Sequence, residues 1–143
     1  FDYEQVLVVA KNHALSSLRF AKAQDLSNEV LITYPVPTER LDIYTQLLNP
    51  AGVLPKKHKT IETTDIMLQM VACNRGIAAL PQWLAQEYSA KLPLALVRLG
   101  NNGLNKKIYL GTREGDNNIE YLKAFIQLAR SFSTLIWAIK CLR

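Results

Sequence analysis

The chain has 143 residues, is 49% hydrophobic, and carries 17 basic against 12 acidic side chains for a net charge of +5. These values fit one ordinary globular domain and exclude a disordered or low-complexity segment, and the basic excess permits an acidic partner without demanding one. Cys73 and Cys141 form no metal or disulfide framework, and no apolar run approaches the ~20 residues of a membrane helix, so a cytoplasmic, reducing setting is the expectation.

Phe1-Asp2-Tyr3-Glu4 leads at once into the β-branched, apolar run 6–10, a pattern expected of the interior of a longer protein and of a strand buried on both faces. Asn12-His13-Ala14-Leu15 breaks that run. A short helix over 23–28 and a strand over 30–34 follow. Pro35 and Pro37 stiffen the next loop. Thr38 is placed to cap a helix in which Leu41, Tyr44, Leu47 and Leu48 form an apolar stripe, stopped by Asn49-Pro50-Ala51-Gly52. Residues 59–62 read as a strand. Thr63-Thr64-Asp65 opens a helix whose body, 66–73, is apolar nearly all round and is expected to be buried; Asn74-Arg75-Gly76 ends it. A strand over 77–80 precedes a helix with Pro81 in its first turn. Residues 94–99 and 107–112 read as strands around a Gly100–Gly103 turn. Asn117 and Glu120 form a capping-box variant for a long helix. Its stripe of Leu122, Phe125, Ala129, Phe132, Ile136 and Ile139, left without a covering sheet, favours self-association. Strands alternate with helices, so the fold class is α/β with a largely parallel sheet.

Neither a phosphate-cradling glycine loop nor a Gly-x-Ser-x-Gly elbow occurs. His13 and His58 lack metal-ligand spacing and read as surface or loop histidines. No carboxylate pair stands out, so no enzyme, no metal and no cofactor is expected. Lys56-Lys57-His58-Lys59 reads as a solvated loop charge run, because no aromatics interleave with it for base stacking. Cys73 reads as core and Trp83 as packing. Two places can bind a small anion. Glu62-Thr63-Thr64-Asp65 stands at a strand end and a helix start, where free N–H groups attract carboxylate and hydroxyls can add donors. Tyr34-Pro35-Val36-Pro37-Thr38-Glu39-Arg40 is a second strand end with a rigid loop and an arginine. Each also serves as a plain cap or surface loop, and the residues alone leave both uses open.

The order of segments resembles the effector-binding (substrate-binding) region of LysR-type transcriptional regulators. The residues that carry the likeness are 6–15, 25–32, 107–110, 124–126 and, most specifically, Met70-Val71-Ala72-Cys73-Asn74-Arg75-Gly76-Ile77-Ala78-Ala79-Leu80-Pro81. Ala14 departs from the family's His-Pro-Leu turn, and Asn74 from a common glycine. Tyr34-Pro35-Val36, Arg40-Leu41-Asp42 and Pro50-Ala51-Gly52-Val53 look like the MetR branch, regulators of methionine biosynthesis that sense homocysteine. The likeness covers about residues 1–132. It implies a fold like a type 2 periplasmic binding protein, with two α/β subdomains and the effector between them. Residues 1–10 would close subdomain I and form the first hinge strand, 11–110 would form subdomain II, and 111–143 would return to subdomain I. Val9, Ala10, Leu110 and Thr112 would lie in the hinge. The resemblance points to Thr63, Thr64, Tyr34, Pro35, Val36 and Thr38 as effector contacts, and to the helix over 38–48 as one that pairs subunits in a dimer or tetramer. DNA would be bound only through a winged helix-turn-helix outside this chain. A transport-type solute-binding protein of the same architecture is the alternative.

Overall fold

The apolar run 6–10 forms the second half of β1 (Asp2–Ala10), where Val6 to Ala10 are buried in unbroken succession. A strand with no exposed face needs cover on both sides, and a central position supplies it. A computed structural model describes residues 1–116 and 118–140, with side chains except those of 132–140. In it, β1 lies between β5 (Ile77–Pro81) and β6 (Leu94–Leu99), antiparallel to both. β3 (Val30–Thr33) runs parallel to β5, β4 (Lys57–Thr60) parallel to β3, and β2 (Phe20–Ala21) parallel to β6. The sheet order is β2-β6-β1-β5-β3-β4, and β7 (Leu104–Lys107) also pairs with β1. The fold is α/β as expected, but the sheet is mixed rather than largely parallel. The strands linked through helical crossovers run one way, and β1 enters against them.

Alternation along the strands divides the core. Leu7, Val9, Leu31, Ile77, Val97 and Leu99 face one layer with Ile43, Tyr44 and Leu48. Val6, Val8, Ile32, Ala78 and Leu80 face the other with Met67, Leu68, Val71 and Ala85.

The stretch after the proline loop departs from the single helix expected over 38–48. It is a 3-10 turn (Thr38–Arg40), a π-helical segment (Ile43–Leu48) and a second 3-10 turn (Asn49–Ala51). Leu41 is extended, which interrupts the spiral. Pro37, not Thr38, occupies the cap position, and Thr38 Oγ1 bonds Glu39 Oε1 at 3.3 Å. Gly52 at φ 63° ends the stretch, the left-handed geometry in which glycine carries no penalty.

α1 (Thr64–Ala72) begins after Thr63 as the hydroxyl-rich start requires. The helix is not buried all round: Met67, Leu68 and Val71 are buried, while Ile66 is 55% exposed. Cys73, expected in the core, is exposed: it is the C-cap of α1, past Val71, the last buried residue of the helix. Its end is a Schellman motif, with Arg75 N donating to Met70 O and Asn74 N to Val71 O, both at 2.9 Å. Asn74 sits at φ 58°, a conformation glycine adopts without Cβ strain. Asn74→Gly is therefore expected to raise unfolding free energy by about 0.5 kcal/mol in urea titration. An unchanged or lower midpoint would contradict this.

α2 (Gln82–Ser89) has Pro81 as its N-cap rather than in its first turn, so the helix starts one residue later than expected. The strand expected over 107–112 is β7, at Leu104–Lys107, and 108–113 has no regular structure. Gly100 and Gly103, both at positive φ, turn the chain so tightly that pairing resumes at once, with Leu104 buried. Leu110 and Thr112 are thus in no strand. Lys106 Nζ meets Asp42 Oδ1 at 2.7 Å, a bond that pushes the ammonium pKa up. Lys57 and Lys59 lie in β4, an edge strand of the sheet, rather than in a loop; lysines on an edge oppose pairing with foreign strands. His13 does a structural job. Its Nδ1 accepts from Leu15 N at 3.1 Å, so Nε2 carries the proton shared with Glu29 Oε2 at 3.3 Å.

The chain divides into a unit of Tyr3–Lys106, which holds the sheet, and a second of Phe1–Asp2 with the segment from Lys107 onward. Residues 3–10 fall within the unit that holds the sheet. In the second unit, the Phe1 amino group donates to Ile108 O at 2.7 Å, and Ile108 N returns a bond to Phe1 O at 2.8 Å. α3 (Glu120–Lys140) exposes Tyr121, Phe125 and Leu128. Asn117 of the expected capping box, and the side chains of Phe132, Ile136 and Ile139, lie outside the described residues.

Candidate functional site

β3 and β4 are parallel, so their carboxyl ends open on one edge of the sheet, where α/β folds place ligands. From β3 leaves the loop Tyr34 to Thr38; from β4 leave Ile61, Glu62 and Thr63, and then α1. The two segments meet: the Tyr34 hydroxyl lies 2.6 Å from Thr64 Oγ1. Residues thirty apart in sequence thus share one hydroxyl pair at the first turn of a helix. That turn has N–H groups without intrahelical partners and the positive end of the helix dipole. Thr63 occupies the N-cap but makes no side-chain capping bond, and the first helical bond runs from Met67 N to Thr63 O at 3.1 Å.

α2 approaches the same turn. The Tyr88 hydroxyl donates to Asp65 Oδ1 at 2.6 Å. This bond, with lesser help from burial and nearby charge, pushes the Tyr88 phenol up, so it remains a donor. Asp65 is thereby held beside the helix start, where a carboxylate is favourable.

The six residues singled out by sequence are not equally placed. Tyr34 and Thr64 touch, and Thr63 adjoins them at the cap. Pro35 and Val36 are exposed in the loop between β3 and the first 3-10 turn. Thr38 is half-buried and bonded to Glu39, so it adds no hydroxyl to the Tyr34–Thr64 pair in this arrangement. Val9 and Ala10 are wholly buried; Ala10 pairs with Leu94 at the far end of β1 from the site.

The near end of β1 carries a residue that sequence reading missed. Gln5 pairs in register with Pro81, the last residue of β5. Its Nε2 donates to Ala79 O at 3.4 Å, which fixes the amide orientation, and its buried Oε1 has no partner among the described residues. The available signal was an amide standing directly before the apolar half of β1. Tyr88 was missed as well, since nothing local marks a tyrosine late in a helix as a partner for Asp65. Among the described residues no group of three His, Cys, Asp or Glu side chains is arranged to hold a metal. No helix among them is long and apolar enough to cross a membrane.

The LysR substrate binding domain family matches residues 1–133. The chain belongs to this family. As a LysR substrate-binding domain it is similar to regulators named MetR. It is 37% identical over 137 residues to the HTH-type transcriptional regulator MetR of Haemophilus influenzae, covering 94% of this chain and 44% of that protein. It is 38% identical over 131 residues to MetR of Escherichia coli K12, covering 92% of this chain and 41% of that protein. The chain thus spans under half the length of these relatives. Among solved structures, the regulatory domain of MetR from N. meningitidis superimposes with a TM-score of 0.80 at 37% identity, over 92% of this chain and 62% of that one. The periplasmic-binding-protein-like α/β fold expected of a LysR effector domain is therefore the fold observed.

Proposed function

We propose that this LysR substrate-binding domain senses a small amino-acid effector, homocysteine, within a cytoplasmic MetR-like regulator of methionine biosynthesis genes. The single observation that carries the reading is the 2.6 Å contact between Tyr34 and Thr64, which joins the two candidate segments at one helix start. The choice of effector follows from the likeness of 34–36, 40–42 and 50–53 to the MetR branch. The carboxylate would lie at the first turn of α1, taking hydrogen bonds from backbone N–H groups and the Thr64 hydroxyl. Thr63, Pro35 and Val36 would border it. Such an effector acts by binding one arrangement of the regulator better than another. Subunits would associate through the 38–48 stretch, and DNA would be bound by a part of the regulator outside this chain.

The reading is tested by calorimetry with L-homocysteine on the full-length protein. Thr64→Val removes one neutral hydrogen bond and is expected to weaken binding by about 0.5–1.5 kcal/mol. Equal binding by Thr64→Val would remove that hydroxyl from the site, and absence of binding by the unaltered protein would overturn the effector assignment.

A further inference from the structure

We propose that His58 is a positioning residue for the effector loop, acting through Thr33 on Tyr34; the proposal rests on the effector reading above. His58 lies in the edge strand β4, opposite Leu31 of β3, with its ring half-buried. The Tyr44 ring packs edge-on against it, with centroids 5.5 Å apart and planes at 62°, which fixes the imidazole plane. Its Nε2 lies 2.7 Å from Thr33 Oγ1, and Thr33 Oγ1 donates to Tyr34 O at 3.0 Å. A carbonyl only accepts, and a threonine hydroxyl has one proton to give. With that proton on Tyr34 O, the imidazole must donate, so His58 carries hydrogen on Nε2. The relay runs from His58 through Thr33 to the Tyr34 carbonyl.

Thr33 is 6% exposed, so without its imidazole partner a sealed oxygen would lose a donor. Tyr34 O also accepts from Val36 N at 2.8 Å, and Thr33 O accepts from Ile61 N at 2.9 Å. The backbone at the carboxyl end of β3 is therefore tied at each carbonyl. This leaves the Tyr34 side chain aimed at Thr64. His58 touches no proposed effector atom; it sets the direction of the loop that does.

The experiment uses the full-length protein, L-homocysteine as probe, and the variants His58→Leu and His58→Gln. Glutamine places an amide N–H where Nε2 stands. His58→Leu is expected to weaken binding about fivefold, the loss of one hydrogen bond, while His58→Gln stays within about twofold of the unaltered protein. Amide exchange at Val36 and Ile61 is expected to speed up in His58→Leu, to recover in His58→Gln, and to stay constant in α2. If His58→Leu fails to fold, Thr33→Val and Thr33→Ser give the same contrast, because serine keeps the hydroxyl. Unchanged binding and exchange in His58→Leu, or failure of the glutamine and serine variants to restore them, overturns the relay. If the unaltered protein takes up no L-homocysteine, the effector reading fails, and exchange at Val36 alone decides for or against the relay.

Discussion

Gly76→Ala is expected to destabilise the protein by about 2–3 kcal/mol and to weaken effector binding with it. Gly76 lies between the Schellman turn and β5. A Cβ there would stand 2.6 Å from the carbonyl oxygen of Val30 and 2.9 Å from Cδ1 and Cγ1 of Ile32. The Ile32 side chain can rotate, though it is wholly buried and has little room. The Val30 oxygen cannot, because it is backbone of β3, which pairs with β4 on one side and β5 on the other. Relief requires β3 to move off β5. That movement shifts Thr33 and Tyr34, and with them the contact to Thr64. Urea unfolding of the full-length protein reads the stability term, and calorimetry with L-homocysteine reads the binding term. An alanine variant of unchanged midpoint would mean that β3 slides freely, contrary to a packed sheet.

That glycine shows how far the sequence could be read. Asn74-Arg75-Gly76 was legible as a helix stop, because left-handed and small residues cluster there, but its close approach to Val30 depends on which strand lies beside β5. Strand pairing is a long-range fact. The same holds for the mixed sheet: alternation and apolar runs located β1, β3, β5 and β6, yet no local signal told that β1 opposes its neighbours. The helix over 38–48 failed differently. Its apolar spacing was real, since Ile43, Tyr44 and Leu48 are buried, but Pro37 and the extended Leu41 break the spiral into shorter turns. For the site, strand ends and hydroxyls pointed to Thr63 and Thr64 and to the 34–40 loop, but not to the pairing of Tyr34 with Thr64. Gln5, Tyr88 and His58 escaped because each acquires its partner across the sheet or between helices.

Thr64→Asp should separate a carboxylate-binding helix start from a merely capped one. The substitution puts a negative charge in the first turn of α1, where the helix dipole favours it by about 0.3–1 kcal/mol. Tyr34 can still donate to the new oxygen. The protein should therefore melt no lower than before, and calorimetric loss cannot be put down to unfolding. A bound effector carboxylate in the same turn meets a like charge. At about 4 Å and an effective dielectric of about 20, the repulsion approaches 4 kcal/mol, and partial exposure of Thr64 reduces it to about 2–3 kcal/mol. Affinity for L-homocysteine should fall roughly 30- to 150-fold. Thr64→Asn, of the same shape without the charge, should lose far less, so the difference between the two variants isolates the electrostatic part. Equal affinity in the aspartate variant would place the carboxylate elsewhere. Tighter binding would mean that the effector presents its ammonium group to α1, reversing the orientation proposed here.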